Sequence, residues 1–131
     1  MTEEQINKFK EFVANFGLTK DDFFKAPQGF VCITRTGIEK IQKSLKLAVH
    51  YEVVPEFTNV ETGHYVIKAI GGVETEDGVV PIVESYGEAS PKNCRVGYPV
   101  AMAEKRALSR VVLKSADLYE LGVFGEDEIG D

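Results

Sequence analysis

The sequence of 131 residues contains no tryptophan, only two cysteines and no long uncharged apolar run. Its apolar runs are far too short to cross a bilayer, and its start lacks a positively charged region followed by an apolar one. We therefore expect neither a membrane span nor a secretory signal. Cys32 and Cys94 lie far apart without the spacing of metal ligands, which predicts reduced cysteines and a cytoplasmic location.

The short motifs of common enzymes are also missing. No glycine-rich phosphate loop, nucleophile elbow or zinc-protease motif occurs. His50 and His64 have no partner at a metal-binding spacing, and a solvated strand face explains Glu84 and Glu88 more simply than acid–base or metal chemistry. We therefore predict no enzyme, no catalytic residue, no metal and no cofactor. An enzyme with an unrecognised site stays as the least favoured hypothesis.

Positive charge is scarce overall but concentrated in one region. Acidic residues outnumber basic ones by 21 to 15, for a net charge of −6, which argues against a general nucleic-acid-coating protein. Residues 89–118 nevertheless hold six basic and two acidic residues, whereas residues 120–131 hold five acidic residues and no basic one. The average charge therefore understates a basic region next to an acidic tail.

The chain is organised around a long helix predicted over Pro99–Leu118. Pro99 suits a first helical position, and no glycine or proline follows until Gly122. Val100, Ala103 and further small or apolar residues at helical spacing form one face, and other apolar residues widen it. Because apolar residues cover most of its circumference, we expect the helix to pack on a sheet on one side and on a second surface, such as another subunit, on the other.

The remaining periodicity predicts helices before a run of strands. Helical spacing favours helices over Glu3–Phe16, Thr19–Phe24 and residues 34–47, with a short strand at Phe30–Ile33 between the last two. A two-residue period then predicts strands over Ala48–Phe57, His64–Val73 and Val79–Glu88.

These elements define an α+β fold class. We predict a three-stranded antiparallel β-meander covered by the long C-terminal helix, a β-β-β-α core preceded by N-terminal helices. Residues 1–120 would form one domain, with 1–28 as an N-terminal helical segment and 29–120 as the core. Residues 121–131 would form an acidic, flexible tail.

Basic side chains in and before the long helix are the candidate ligand-binding residues. Arg106, Arg110 and Lys114 recur every four residues and so stack on one side of the helix, flanked by Lys105. The loop before the helix adds Lys92 and Arg95. Such a stripe is either a solvated helix face or a phosphate-contacting surface.

A resemblance bears on that choice. The strand end, polar loop and alanine-rich helix resemble the single-strand annealing proteins of the Rad-fifty-two superfamily, which includes phage recombination proteins and a eukaryotic repair protein. The resemblance covers about residues 48–118, and the preceding meander fits the β-β-β-α core of that family. The matching residues are Tyr86, Gly87, Ala89, Ser90, Ala103, Glu104, Arg106, Ala107 and Leu108.

The resemblance implies a homo-oligomeric ring or filament that holds the backbone of single-stranded DNA and leaves the bases free to pair. By position, Lys105 and Arg106 correspond to basic residues of the DNA groove, and Arg110 lies one position from another. The implied role is annealing in phage-type or bacterial recombination and repair, in the host cytoplasm if a phage encodes the protein, with any recombinase or nuclease partner left open. The alternative is an oligomeric interaction module of the same fold without nucleic-acid binding.

Overall fold

A computed structural model describes residues 1–129 as three helices, six strands and three short 3-10 turns. The helices are α1 (Glu3–Phe16), α2 (Arg35–Leu45) and α3 (Pro99–Ser115). The strands are β1 (Phe23–Lys25), β2 (Val31–Ile33), β3 (Ala48–Val53), β4 (Tyr65–Thr75), β5 (Gly78–Ala89) and β6 (Val123–Gly125). The turns span Pro55–Phe57, Leu118–Leu121 and Glu126–Glu128.

Strands β3, β4 and β5 form the predicted antiparallel meander, in that order. Ala48 at the start of β3 lies opposite Gly72 of β4, and Gly72 lies opposite Pro81 of β5. A bulge between Gly71 and Gly72 shifts the register and marks the base of the β4–β5 hairpin. The α+β class and the meander are confirmed.

Helix α3 covers one face of the meander at very short range. Ala103, Ala107 and Val111 are fully buried, as predicted, whereas Val100 is 46% exposed, so its inward assignment is wrong. A Cβ atom placed on Gly87 of β5 would lie 2.0 Å from the carbonyl oxygen of Ala103. Only a glycine facing alanines lets the strand and the helix backbones come this close.

A second sheet that the sequence did not predict packs on the opposite side of α3. Its order is β1-β2-β6, with β2 antiparallel to β1 and parallel to β6. A Cβ atom on Gly125 of β6 would lie 2.8 Å from the Cβ atom of Ser109 of α3, and Leu113 is fully buried. Helix α3 is therefore a central layer between two sheets. The second surface that its apolar circumference predicted is this sheet, together with α2, and not another subunit.

The N-terminal segment differs in part from its prediction. Helix α1 has the predicted bounds, with a capping box at Thr2 and a left-handed C-cap at Gly17. The helix predicted over Thr19–Phe24 is wrong, because residues 23–25 form β1 and pair with β2. Phe9 of α1 contacts Phe23 edge to face, with ring centroids 5.3 Å apart, so the N-terminal segment packs on the core.

The predicted flexible tail is wrong for the residues that the structure describes. Val123 is fully buried, and Val123–Gly125 pairs with Val31–Ile33 as a parallel strand. Burial of Leu121 and Val123 in the main core outweighs the acidic composition of the neighbouring turn. Gly130 and Asp131, the last two residues of the predicted tail, lie outside the described part of the chain.

Candidate nucleic-acid interface

The predicted basic stripe of α3 runs along the outer edge of β5, and each of its cations donates to a backbone carbonyl there. The three bonds are Arg106 Nη1 to Glu88 O at 2.9 Å, Arg110 Nη1 to Tyr86 O at 2.7 Å and Lys114 Nζ to Glu84 O at 3.0 Å. We call this set of three cations and three carbonyls the edge seam.

The edge seam follows from two matching repeats. Four residues of an α-helix rise about 6 Å, and two residues of a β-strand rise about 6.6 Å. Cations at every fourth helical position therefore meet the carbonyls at every second strand position. Alternate residues of an edge strand point their carbonyls away from the sheet, where they need partners. The stripe meets that need.

Arg106 is the most deeply embedded member of the edge seam, with a relative exposure of 2%. Besides Glu88 O, its guanidinium donates to Asn93 O at 2.7 Å, Asn93 Oδ1 at 3.1 Å and Asp127 O at 2.8 Å. All three guanidinium nitrogens are therefore used by the strand, the loop and the C-terminal turn. The prediction that Arg106 lines a DNA groove is wrong for this fold, because the side chain is buried and its donors are occupied.

Arg110 is held by carboxylates. It forms a two-pronged pair with Glu88 at 2.8 and 3.0 Å and a longer bond to Glu128 at 3.3 Å. The hydrogen bonds from Arg110 lower the pKa of Glu88, and the same pair raises the pKa of Arg110. Glu128 also accepts from the Tyr119 hydroxyl at 2.5 Å and from Gly125 N at 2.6 Å. Arg110 thus ties the C-terminal turn to the sheet.

The other predicted cations lie at the surface, around the start of α3. Lys92 and Arg95 are exposed on the loop between β5 and α3, and the Lys105 ammonium lies 5.2 Å from the centre of the Tyr98 ring. We call Lys92, Arg95, Tyr98 and Lys105 the basic loop cluster. Tyr98 is 53% exposed, so its ring has a face available for stacking.

The basic loop cluster adjoins the positive end of the α3 dipole. Tyr98 is the N-cap residue and provides no side-chain cap, and Pro99 occupies the first turn. The loop itself is anchored, because Ser90 N donates to Asn93 Oδ1 at 2.8 Å and Cys94 is buried. A fixed loop that carries several cations beside a helix N-terminus is a favourable site for phosphate groups.

The remaining candidates are isolated. His50 lies 3.8 Å from Glu52, His64 bonds to Thr62, and Glu84 pairs with Lys68 on the sheet face turned away from α3. Among residues 1–129, no group of three or more His, Cys, Asp or Glu could hold a metal ion. In the same part of the chain, no helix has the length and apolar character needed to cross a membrane.

Comparisons with known proteins assign no relative to the chain. No family model matches it, and no curated protein and no solved structure is significantly similar to it. The resemblance to single-strand annealing proteins therefore stays a prediction that depends on the residues between Tyr86 and Leu108.

The division of the basic residues into two groups was not visible in the sequence. Arg106 and Lys105 are neighbours, yet one is buried against β5 and the other lies under an exposed ring. One signal was present: the stripe repeats every four residues of α3, a rise of about 6 Å, which is close to the spacing of alternate carbonyls along an edge strand.

Proposed function

We propose that the protein binds single-stranded DNA through the basic loop cluster and anneals complementary strands as a homo-oligomer. The observation that carries the proposal is the placement of three cations around the start of α3: Lys92 and Arg95 are exposed on the loop that leads into the helix, and the Lys105 ammonium lies over the exposed ring of Tyr98. The β-β-β-α arrangement of the meander and α3 supports it, because the resemblance implies that core. The proposed DNA contacts, however, lie on the basic loop cluster and not on the stripe that the sequence predicted.

The chemistry that annealing requires is modest. Lysine and arginine neutralise phosphates, and an aromatic ring stacks on bases without reading their sequence. No bond is made or broken, which agrees with the lack of any recognisable catalytic constellation in the sequence. Many copies side by side would hold a strand along its length and leave base edges free. A role in phage-type or bacterial recombination follows from this proposal and from the resemblance alone.

The test is salt-dependent binding of a labelled single-stranded oligonucleotide. We expect the double variant Lys92→Glu/Lys105→Glu to bind more weakly at every salt concentration. The salt slope should fall by about 1.4, since each phosphate contact with a single strand contributes about 0.7. Lys92 is exposed and Lys105 is half-buried with its ammonium over the Tyr98 ring, so the free energy of unfolding should fall by only about 1 kcal/mol.

The matched control is Lys10→Glu/Lys20→Glu, which changes the net charge equally at two exposed positions outside the cluster. It should leave the salt slope unchanged. Equal weakening by both variants would show that net charge alone matters, and the site assignment would fail. A wild-type protein that binds no oligonucleotide at low salt would favour the alternative, an interaction module without nucleic-acid binding.

A further inference from the structure

The β4–β5 hairpin carries a surface that neither the core nor the proposed DNA site uses. Residues 73–82 at its end, here called the acidic arm, expose three large apolar side chains: Val79 at 57%, Val80 at 46% and Ile82 at 56%. Isolated exposed apolar residues are ordinary, but several together on one hairpin are typical of a contact surface.

The acidic arm has charge of one sign only. Glu74, Glu76 and Asp77 form its tip, and the sequence has no lysine or arginine between Lys68 and Lys92. The structure shows no ion pair at these three carboxylates among the described residues. A partner for the arm should therefore combine an apolar surface with positive charge.

This chain itself has such a surface at the junction of α2 and β3. A groove of about 400 Å³ is lined by Glu39, Gln42, Lys43, Lys46, Leu47 and Ala48. Lys43 and Lys46 are exposed, and neither forms an ion pair among the described residues, whereas Lys40 on the same helix pairs with Asp22 at 2.6 Å. We call this surface the lysine groove.

The acidic arm and the lysine groove lie on opposite edges of the meander at the same level. Ala48 pairs with Gly72, and Gly72 pairs with Pro81, so the end of the groove and the base of the arm share one line across the sheet. The outer edge of β3 pairs with no strand among the described residues. A second copy placed beside the first would bring the arm of one next to the groove of the other.

We infer that the acidic arm of one copy docks in the lysine groove of the next copy. The contact joins two different surfaces, so it is heterologous and generates a ring or a filament instead of a closed dimer. Pro81 has no backbone N–H for a continuous ladder, so side-chain packing of Val79 and Ile82 and pairing of lysines with carboxylates would dominate the contact. The edge seam closes the remainder of the β5 edge, which confines the contact to the arm.

This inference supplies the assembly that the proposed function requires, but its test uses no DNA. Two variants reverse the two surfaces: Glu74→Lys/Glu76→Lys/Asp77→Lys in the arm and Lys43→Glu/Lys46→Glu in the groove. Each alone places like charges opposite each other and should weaken self-association at least about tenfold. Light scattering should then show masses near the 14.5 kDa of one chain at concentrations where the wild type forms larger assemblies.

The decisive step is to mix the two variants in equal amounts. In the mixture, each reversed arm finds a reversed groove and each native arm finds a native groove, so alternating assemblies should form again. The control Glu11→Lys/Glu61→Lys/Glu120→Lys makes the same charge change as the arm variant at exposed sites elsewhere and should assemble like the wild type.

Three results would overturn the inference: a wild type that is a single chain at tens of micromolar, variants that assemble as well as the wild type, or a mixture that does not reassemble. Circular dichroism of each variant checks folding, and all substituted side chains are exposed. A wild type that assembles through this contact but binds no oligonucleotide would remove the proposed function and leave the inference intact.

Discussion

Two groups of basic residues meet at α3, and their chemistry is the same while their surroundings are opposite. The edge seam uses Arg106, Arg110 and Lys114 to satisfy the carbonyls at the edge of β5. The basic loop cluster presents its cations and the Tyr98 ring at the surface. A cation next to an unpaired strand edge is a structural element, whereas the same side chain beyond that edge can bind a ligand. Position relative to the sheet therefore decides the role.

Removing the most deeply buried cation, Arg106, should have the largest effect on the stability of the fold. Arg106→Ala leaves the carbonyls of Glu88, Asn93 and Asp127 without their donor, and we expect a loss of about 3 to 5 kcal/mol in the free energy of unfolding. Urea unfolding measures it. Lys92→Ala is the control from the other group and should change stability by less than about 0.5 kcal/mol. Equal losses of stability for the two substitutions would contradict the distinction between a structural edge seam and a surface cluster.

The close contact that brings the stripe to the strand edge can be tested separately. Gly87→Ala would place a Cβ atom 2.0 Å from Ala103 O and 2.4 Å from Ala107 N, so α3 must move away from β5. We expect a loss of about 2 to 3 kcal/mol, by thermal or urea unfolding. Gly97→Ala is the matched control, because no atom lies within 4 Å of its added Cβ and the loop is exposed. A Gly87→Ala protein as stable as the control would show that the helix is not held this closely.

The smallest effect concerns the ion pair between Arg110, the middle cation of the edge seam, and the side chain of Glu88. Hydrogen bonding from Arg110 lowers the pKa of Glu88, so the pair stabilises the folded state fully above the ordinary pKa of a glutamate, 4.5. That contribution is lost as the pH falls through the lowered pKa of the folded state. Glu88→Gln should therefore make stability less dependent on pH below that value. Glu84→Gln is the control on the same strand; an identical pH profile for wild type and Glu88→Gln would contradict the pairing.

The sequence predicted the parts of the fold that have a clear period. Helix α1, the meander and α3 follow apolar spacings that depend on each element alone, and their bounds agree within a few residues. Strands β1 and β6 have three residues each, too few for a period, and β2 pairs with β6 across about ninety positions of the chain. Long-range pairing of such short segments depends on the assembled core, so the second sheet could not be predicted.

The candidate site was predicted in composition but not in geometry. Spacing correctly placed Arg106, Arg110 and Lys114 on one side of α3. It could not show that this side faces the edge of β5, because a four-residue repeat describes a helix face without describing its neighbour. The C-terminal segment shows the same limit. Its acidic charge predicted an exposed tail, whereas Val123 is fully buried and Glu128 is bonded to Arg110.

The most direct test of the different roles of the edge seam and the basic loop cluster compares two double variants that each remove two positive charges. These are Arg110→Gln/Lys114→Gln in the seam and Lys92→Gln/Lys105→Gln in the cluster. Both are titrated with the same labelled single-stranded oligonucleotide over a range of salt concentrations, below their unfolding temperatures. We predict that the Lys92→Gln/Lys105→Gln variant binds more weakly and with a lower salt slope than the wild type. The Arg110→Gln/Lys114→Gln variant should be less stable yet bind with the affinity and slope of the wild type. Weaker binding and a lower slope in the seam variant, with the loop variant unchanged, would contradict the account.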